Sequence, residues 1–190
     1  MMKEPKALTV PFTHDQVKQL QAGDLVTITG YIFTARDAAH KKLTEALESG
    51  ESLPIELQDQ MIYYAGPTPA KPGKVIGSCG PTTSGRMDSY SPRLLEKGLR
   101  GMIGKGPRSE KVIDSMKKNG AVYFAAVGGA AAVISESIEE VEIVAYEDLG
   151  PEAIRKMKVV DYPCVVAIDS YGVNLFEKGV EEYKLVNATE

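Results

Sequence analysis

The sequence predicts an α/β fold with an at least partly parallel sheet, and three observations predict it. Runs rich in β-branched and aromatic residues alternate along the chain with segments of helical periodicity. Ala121-Val122-Tyr123-Phe124-Ala125-Ala126-Val127 is apolar throughout, as expected of a strand covered on both faces. With 190 residues, 43% of them hydrophobic, and no polar or low-complexity stretch dividing them, the chain can bury one substantial core, so residues 1–190 are expected to form a single domain.

Element by element, Asp24 to Phe33 alternates and is rich in β-branched and aromatic residues, which predicts a strand. A helix follows at once. Thr34 is a good N-cap with Asp37 three residues on, and Ala35, Ala38, Ala39, Leu43, Ala46 and Leu47 recur at helical spacing. Arg36 then falls in the first turn, where a helix end favours an anion. From Glu48 to Pro72 the chain reads as loop, interrupted by a strand over Gln60 to Ala65, and Lys74 to Cys79 reads as a further strand. Tyr90 to Lys97 predicts a short helix, and Gly98 to Gly106 a glycine-rich strand and loop in which Lys105, flanked by glycines, can approach a ligand closely. Ser109 caps a helix with Val112, Ile113 and Met116 inward, closed by Asn119-Gly120. After the Ala121 strand, Gly128 to Ile134 fits a buried helix or another strand, and periodicity does not decide. Val141 to Tyr146 and Val159 to Asp169 read as strands, with a short helix at Glu152 to Met157 between them.

Composition excludes several functions. The net charge is -4, from 22 Lys and Arg against 26 Asp and Glu, and the signs are interspersed, so no basic face is offered to nucleic acid or anionic lipid. Any anion must be held locally. The charged start Met1 to Lys6 has no apolar run behind it, and no segment reaches membrane-spanning length, which predicts a cytoplasmic protein. Cys79 and Cys164 are too few for a disulfide framework, a zinc site or an iron-sulfur cluster, so this chain is expected to ligate no metal itself.

The most informative stretch is Gly80-Pro81-Thr82-Thr83-Ser84-Gly85-Arg86-Met87-Asp88. Two adjacent hydroxyls and an arginine on a glycine-bounded loop compose a cradle for an oxyanion or carboxylate. The phosphate-loop template G-x-x-x-x-G-K-[ST] fits Gly80 through Gly85, then meets Arg86 where lysine belongs and Met87 where the magnesium-binding hydroxyl belongs. The nucleotide reading fails at its chemically essential end. Blander readings exist for single residues: Arg36 as a solvated helix residue, Lys105 as punctuation in a hairpin. His40, on the same helical side as Arg36, either hydrogen-bonds a carboxylate or positions a loop, and a structural histidine is the simpler reading. Cys79 reads as a small buried residue rather than a nucleophile, and Cys164 as core.

Three motifs together resemble the C-terminal part of class I, iron-sulfur fumarases: Thr34-Ala35-Arg36-Asp37-Ala38-Ala39-His40-Lys41, Gly80 to Tyr90, and Gly104-Lys105-Gly106-Pro107-Arg108-Ser109. The similarity continues through Gly128 to Val133 and Val144 to Gly150, in order and over nearly the whole chain. In such enzymes this part is the second domain of a long chain or a separate β subunit, and it is a swivelling three-layer β/β/α domain. A chain of 190 residues without a cluster-binding half is expected to be the separate subunit. The resemblance implies reversible hydration of fumarate to (S)-malate. It also implies a hetero-oligomer, in which a partner α subunit holds a 4Fe-4S cluster whose open iron binds the substrate hydroxyl and a carboxylate. Carried residue by residue, Arg36, Arg86 and Lys105 bind the substrate carboxylates, Thr83 donates a hydrogen bond to them, and Thr82 is the base that takes the C3 proton of malate.

The chemistry of that set stands without the family. A C4 dicarboxylate is a dianion, and removing a proton beside its carboxylate builds further negative charge on oxygen. Arginine forks and a lysine point charge stabilise such charge, at roughly 3 kcal/mol for a single well-placed donor. A threonine hydroxyl is a poor base in water and needs such cations to lower its pKa. The alternatives are a tartrate dehydratase β subunit, against which the small residues Ala38, Ala39 and Gly85 look more fumarase-like, and a non-catalytic module that senses dicarboxylates, which would need the cations but no base.

Overall fold

The computed structural model describes residues 4–126, 134 and 136–178. In order they form β1 (Lys6–Val10), α1 (His14–Lys18), β2 (Leu25–Thr34), α2 (Asp37–Ser49), β3 (Met61–Tyr63), α3 (Ser91–Glu96), β4 (Gly101–Gly104), α4 (Glu110–Asn119), β5 (Val122–Ala126), β6 (Ile138–Ala145) and β7 (Ile154–Ile168). Short 3-10 turns occupy Ser84–Met87 and Glu147–Glu152. The open choice over Gly128 to Ile134 falls, apart from Ile134, outside the described residues.

The sheet is mixed, as predicted. β2, β3, β4 and β5 pair side by side in parallel, and β1 adds to β2, also parallel. β7 runs antiparallel to β2 along one edge and to β6 and β5 along the other. The pairings therefore return to their start, β2–β3–β4–β5–β7–β2, with β1 and β6 as the outer strands. The period of two decides what each face buries. Met61, Tyr63, Ile103, Val122 and Phe124 face inward onto Ile28, Val159, Tyr162 and Val166 of β2 and β7. Ile62, Met102 and Tyr123 point the other way, onto Ala39 and Leu43 of α2, Leu94 and Leu95 of α3, and Val112 and Met116 of α4. Antiparallel strands, parallel strands and helices thus make three layers around two cores.

That packing is what keeps the helices folded. α4 has 10 residues, a length at which an isolated helix is marginal in water. Burying Val112 and Met116 against Met102 and Tyr123 supplies roughly 1.5–3 kcal/mol each, and Gly120 closes the helix in the left-handed region at φ 63°.

Three sequence readings are corrected. Thr34 is the last residue of β2 rather than a helix cap, and its hydroxyl accepts from the Arg155 N–H at 3.1 Å; Arg36 occupies the N-cap. Lys74 to Cys79 is no strand. Its backbone pairs within its own loop, with Thr68 N–H donating to Ser78 O at 2.9 Å and Ser78 N–H to Thr68 Oγ1 at 2.8 Å, apart from Cys79 O, which accepts from the Tyr63 hydroxyl at 2.6 Å; Ile76 and Cys79 anchor into the inner core. Glu152 to Met157 is no helix, because Ile154 begins a strand of 15 residues with pairing partners on both edges. β1 and α1 had no counterpart in the sequence reading. No helix among the described residues is long and apolar enough to cross a membrane.

Candidate active site

Parallel strands present their carboxyl ends on one rim, and ligands of α/β sheets bind there. β2, β3 and β4 end at Thr34, Tyr63 and Gly104; the chain passes directly from β2 and β4 into the Thr34 and Gly104 motifs, and from β3 it reaches the Gly80 motif after residues 64–79. Arg36 lies two residues past β2, and Lys105 one residue past β4. The Gly80 loop is tied to the end of β3 by an antiparallel bridge between Ala65 and Pro81.

Backbone hydrogen bonds lock the loop to its neighbours. Thr82 N–H donates to Tyr64 O at 2.7 Å, Lys105 N–H donates to Thr82 O at 3.4 Å, and Ser84 N–H donates to Lys105 O at 2.9 Å. Thr82, Thr83 and Lys105 are therefore adjacent, with Thr83 and Lys105 in parallel bridge partnership. Neither threonine hydroxyl has a hydrogen-bond partner among the described residues. Ser84 instead faces inward, where its Oγ lies 2.8 Å from Tyr123 Oη, which itself donates to Gly106 O at 2.9 Å. Burial pushes the Tyr123 phenol up to about 12, so it stays a neutral donor. Gly104 is required by this arrangement, since a Cβ there would overlap Ser84 Oγ.

The two arginines meet through an acid. Arg36 Nε donates to Asp37 Oδ2 at 3.2 Å, and Arg86 Nε donates to Asp37 Oδ1 at 2.7 Å. Burial alone would raise the Asp37 carboxyl, but its own backbone N–H and the two guanidiniums overcome that and hold it below its ordinary value. Arg36 Nε also lies 3.5 Å from Glu152 Oε1, while Glu152 Oε2 accepts from Ala38 N–H at 2.7 Å. Glu152 thus caps α2 from another segment, taking the helix-end position that the sequence reading left to a ligand.

Beneath the loop lies a buried cation. Arg108 donates to Asp88 Oδ1 at 2.7 Å, Ser91 Oγ at 2.7 Å and Tyr64 Oη at 3.2 Å, and its guanidinium stacks on the Tyr64 and Tyr123 rings at 5.3 and 5.2 Å. Asp88 closes the loop and also accepts from Ser109 N–H at 2.7 Å, so Arg108 pins the loop's exit to the ends of β3 and β4. His40 is fully buried against Tyr64, with Nδ1 donating to Arg36 O at 3.0 Å; burial pushes it down to about 4, so it is neutral and structural.

The structure thus brings all five predicted residues to one rim: Arg36 and Arg86 around Asp37, and Thr82, Thr83 and Lys105 in backbone register. Thr83, Arg86 and Lys105 are exposed. Asp37, Asp88, Arg108 and Glu152 are the supports that sequence reasoning missed, although all but Glu152 stand inside the quoted motifs. Larger hollows of about 420 and 610 Å³ open beside this rim, between the Pro67 to Ser78 loop and β6, and none of the five lines them. Cys79 and Cys164 are both buried, and burial raises both thiols, Cys79 to about 12. No group of three metal-ligating side chains occurs among the described residues.

Comparison with known proteins decides the family, because residues 3–179 match the family described as Fumarase C-terminus. The chain belongs to that family. This fumarase C-terminus chain is 42% identical over 165 residues to the aerobic class I fumarate hydratase of Escherichia coli K12, covering 86% of this chain and 30% of that protein. The anaerobic class I fumarate hydratase of the same strain is 42% identical over 169 residues, 88% of this chain and 31% of that protein. A protein named putative L(+)-tartrate dehydratase subunit beta, from Methanocaldococcus jannaschii, is 38% identical over 172 residues, covering 87% of this chain and 88% of its own. The chain therefore spans less than a third of the fumarate hydratases it matches and most of the dehydratase subunit.

Proposed function

We propose that this chain is the β subunit of a two-subunit fumarate hydratase, catalysing reversible hydration of fumarate to (S)-malate together with an α subunit. The observation that supports it is the convergence on one rim of Arg36, Arg86 and Lys105 with two threonine hydroxyls unpaired among the described residues, in a chain of this family. A fumarate or malate dianion meets three cations there. Arg36 and Arg86 take one carboxylate by bidentate, charge-assisted hydrogen bonds; Lys105 and the Thr83 hydroxyl take the other. When the C3 proton of malate leaves, the negative charge that grows on the adjacent carboxylate meets donors already in place, with no reorganisation at the moment of reaction. Thr82 receives that proton. Its backbone is fixed on both sides, and Lys105, whose N–H donates to Thr82 O, and Arg86, on the same loop, are the cations available to lower its pKa.

The family's four-iron, four-sulfur cluster does not fit this chain's own thiols, which are buried and protonated. It is assigned to the α subunit, the partner that the name of the dehydratase subunit suggests.

Co-expression with a cluster-bearing α subunit under anaerobic conditions tests the proposal. The complex is expected to interconvert fumarate and malate. Arg86→Ala should lose roughly 100-fold in kcat/KM, the worth of one oxyanion donor, and Thr82→Val should lose roughly 100-fold or more in kcat with KM little changed. An isolated chain hydrating fumarate at enzyme-like rates refutes the two-subunit reading. The matched length of the dehydratase subunit favours one other reading, a tartrate dehydratase β subunit, and the ratio of malate to tartrate turnover by the complex decides between them.

A further inference from the structure

Both guanidiniums of the cradle are held by the same carboxylate and through the same atom. Arg36 Nε and Arg86 Nε donate to opposite oxygens of Asp37, at 3.2 and 2.7 Å. A guanidinium meets a carboxylate either side-on, through Nε and one terminal nitrogen, or end-on, through both terminal nitrogens. With Nε committed, the side-on mode is closed and the end-on edge is left. Among the described residues, no terminal nitrogen of Arg36 or Arg86 has a hydrogen-bond partner. The bridge therefore leaves open the edge that end-on carboxylate recognition uses.

An acid inside an anion site also carries a cost. Asp37 cancels one of the three positive charges that would attract the dianion, and Glu152 stands beside Arg36 as well. A site built only for attraction would not hold it there. What Asp37 supplies instead is geometry, since two long side chains reaching in from different connections lose rotamer freedom when a short, helix-anchored carboxylate joins them. α2 is anchored in turn, because Glu152 caps it and Ala39 and Leu43 bury its inner face.

We propose that Asp37 is a positioning residue, joining Arg36 to Arg86 and turning their end-on edges toward one carboxylate of the diacid. The inference rests on the hydratase reading above and adds to it the part that makes the two arginines one receptor. It follows that the site selects for a planar carboxylate presented in a fixed direction, and that its discrimination against other dianions comes from direction more than from charge.

Asp37→Asn tests it, with Asp37→Glu as the conservative partner. The asparagine has one acceptor oxygen and can hold only one of the two Nε–H groups. In the reconstituted complex, Asp37→Asn should lower kcat/KM about 30-fold, mainly through KM, with an unchanged melting temperature, and Asp37→Glu should recover part of the loss. In the isolated, nitrogen-15-labelled chain, the Nε–H resonances of Arg36 and Arg86 should be protected in the native protein and should join those of solvent-exposed arginines in Asp37→Asn. Native kinetic constants in Asp37→Asn overturn the proposal, as do resonances that do not move. So does tighter inhibition by succinate with kcat intact, because Asp37 would then only dampen charge. A lower melting temperature with unchanged kinetics would make it a helix-end residue alone and also overturns it. A native complex inactive on every diacid would instead sink the hydratase reading, and the purpose assigned to Asp37 with it.

Discussion

Arg108→Met removes the buried cation beneath the cradle while keeping an apolar side chain of similar length. The Arg108 side chain is 0% exposed and its main partner, Asp88, is 17% exposed. The substitution withdraws one ion pair at 2.7 Å, one hydrogen bond at 2.7 Å to Ser91 and one at 3.2 Å to Tyr64. The two hydroxyls keep other partners: Ser91 still donates to Met87 O at 2.9 Å, and Tyr64 Oη still lies 3.2 Å from Ser91 Oγ. The uncompensated loss is the Asp88 carboxylate, whose remaining hydrogen-bond donor among the described residues is the Ser109 N–H. Removing one partner of a buried pair costs about 3–5 kcal/mol, and the residual exposure of Asp88 places this case near the lower end, about 3 kcal/mol. At about 2–4 °C per kcal/mol for a domain of this size, the melting temperature should fall by about 10 °C. Thermal denaturation followed by circular dichroism on the purified chain measures it. The double variant Arg108→Met/Asp88→Asn should then cost clearly less than the sum of the single variants, because the stranded charge is gone. A fall of under about 3 °C, or strict additivity, would refute the claim that this pair anchors the loop.

Three further outcomes are expected. Gly104→Ala should cost about 2–4 kcal/mol in urea unfolding, since the added methyl displaces Ser84 and breaks its contact with Tyr123; Gly106→Ala, whose methyl would meet only Thr83 Cγ2 at an ordinary 4.0 Å but whose φ is 80°, should cost about 1 kcal/mol. His40 is held near 4 in the folded chain against 6.5 unfolded, so the unfolded state binds the proton first. Stability should therefore be full above pH 6.5 and fall by roughly 3 kcal/mol as the pH drops toward 4, and His40→Gln should flatten that slope in denaturant titrations at several pH values. Cys79→Ala and Cys164→Ala should leave the iron content of a reconstituted complex unchanged, and loss of iron in either would return a ligand role to this chain.

How much of this was legible depended on whether the signal was local. The mixed α/β sheet followed from the Ala121 run and from strands alternating with helices, and the helix at Ser109 was visible in its apolar period and its closing glycine. The clustering of the five candidate residues was legible for the same reason, because Thr82, Thr83 and Arg86 share one short loop, and Arg36 and Lys105 lie within single motifs. What failed was non-local. Glu152 to Met157 has a pattern too short to tell strand from helix, and only pairing with β2 and β6 settles it. Thr34 has the residue type of a cap, but its hydroxyl is taken by a backbone N–H far along the chain, and Glu152 does the capping. Lys74 to Cys79 is apolar enough for a strand, yet Lys74 and Ser78 pair within their own proline-bearing loop and Cys79 O is taken by the Tyr63 hydroxyl, so no strand ladder forms there. Asp37 as a link between two arginines is likewise a fact of tertiary structure, since its partner Arg86 is 49 residues away.

The delivery of each charged group by its own strand-to-helix connection has an evolutionary corollary. Arg36, the threonine pair and Lys105 ride on three separately mutable segments over a shared hydrophobic scaffold, so on the proposed hydratase reading a substitution in one segment retunes diacid preference without disturbing the other two. On the same reading, divergence between a hydratase for an unsubstituted diacid and one for a hydroxylated diacid needs no refolding, only a change of one side chain at a time.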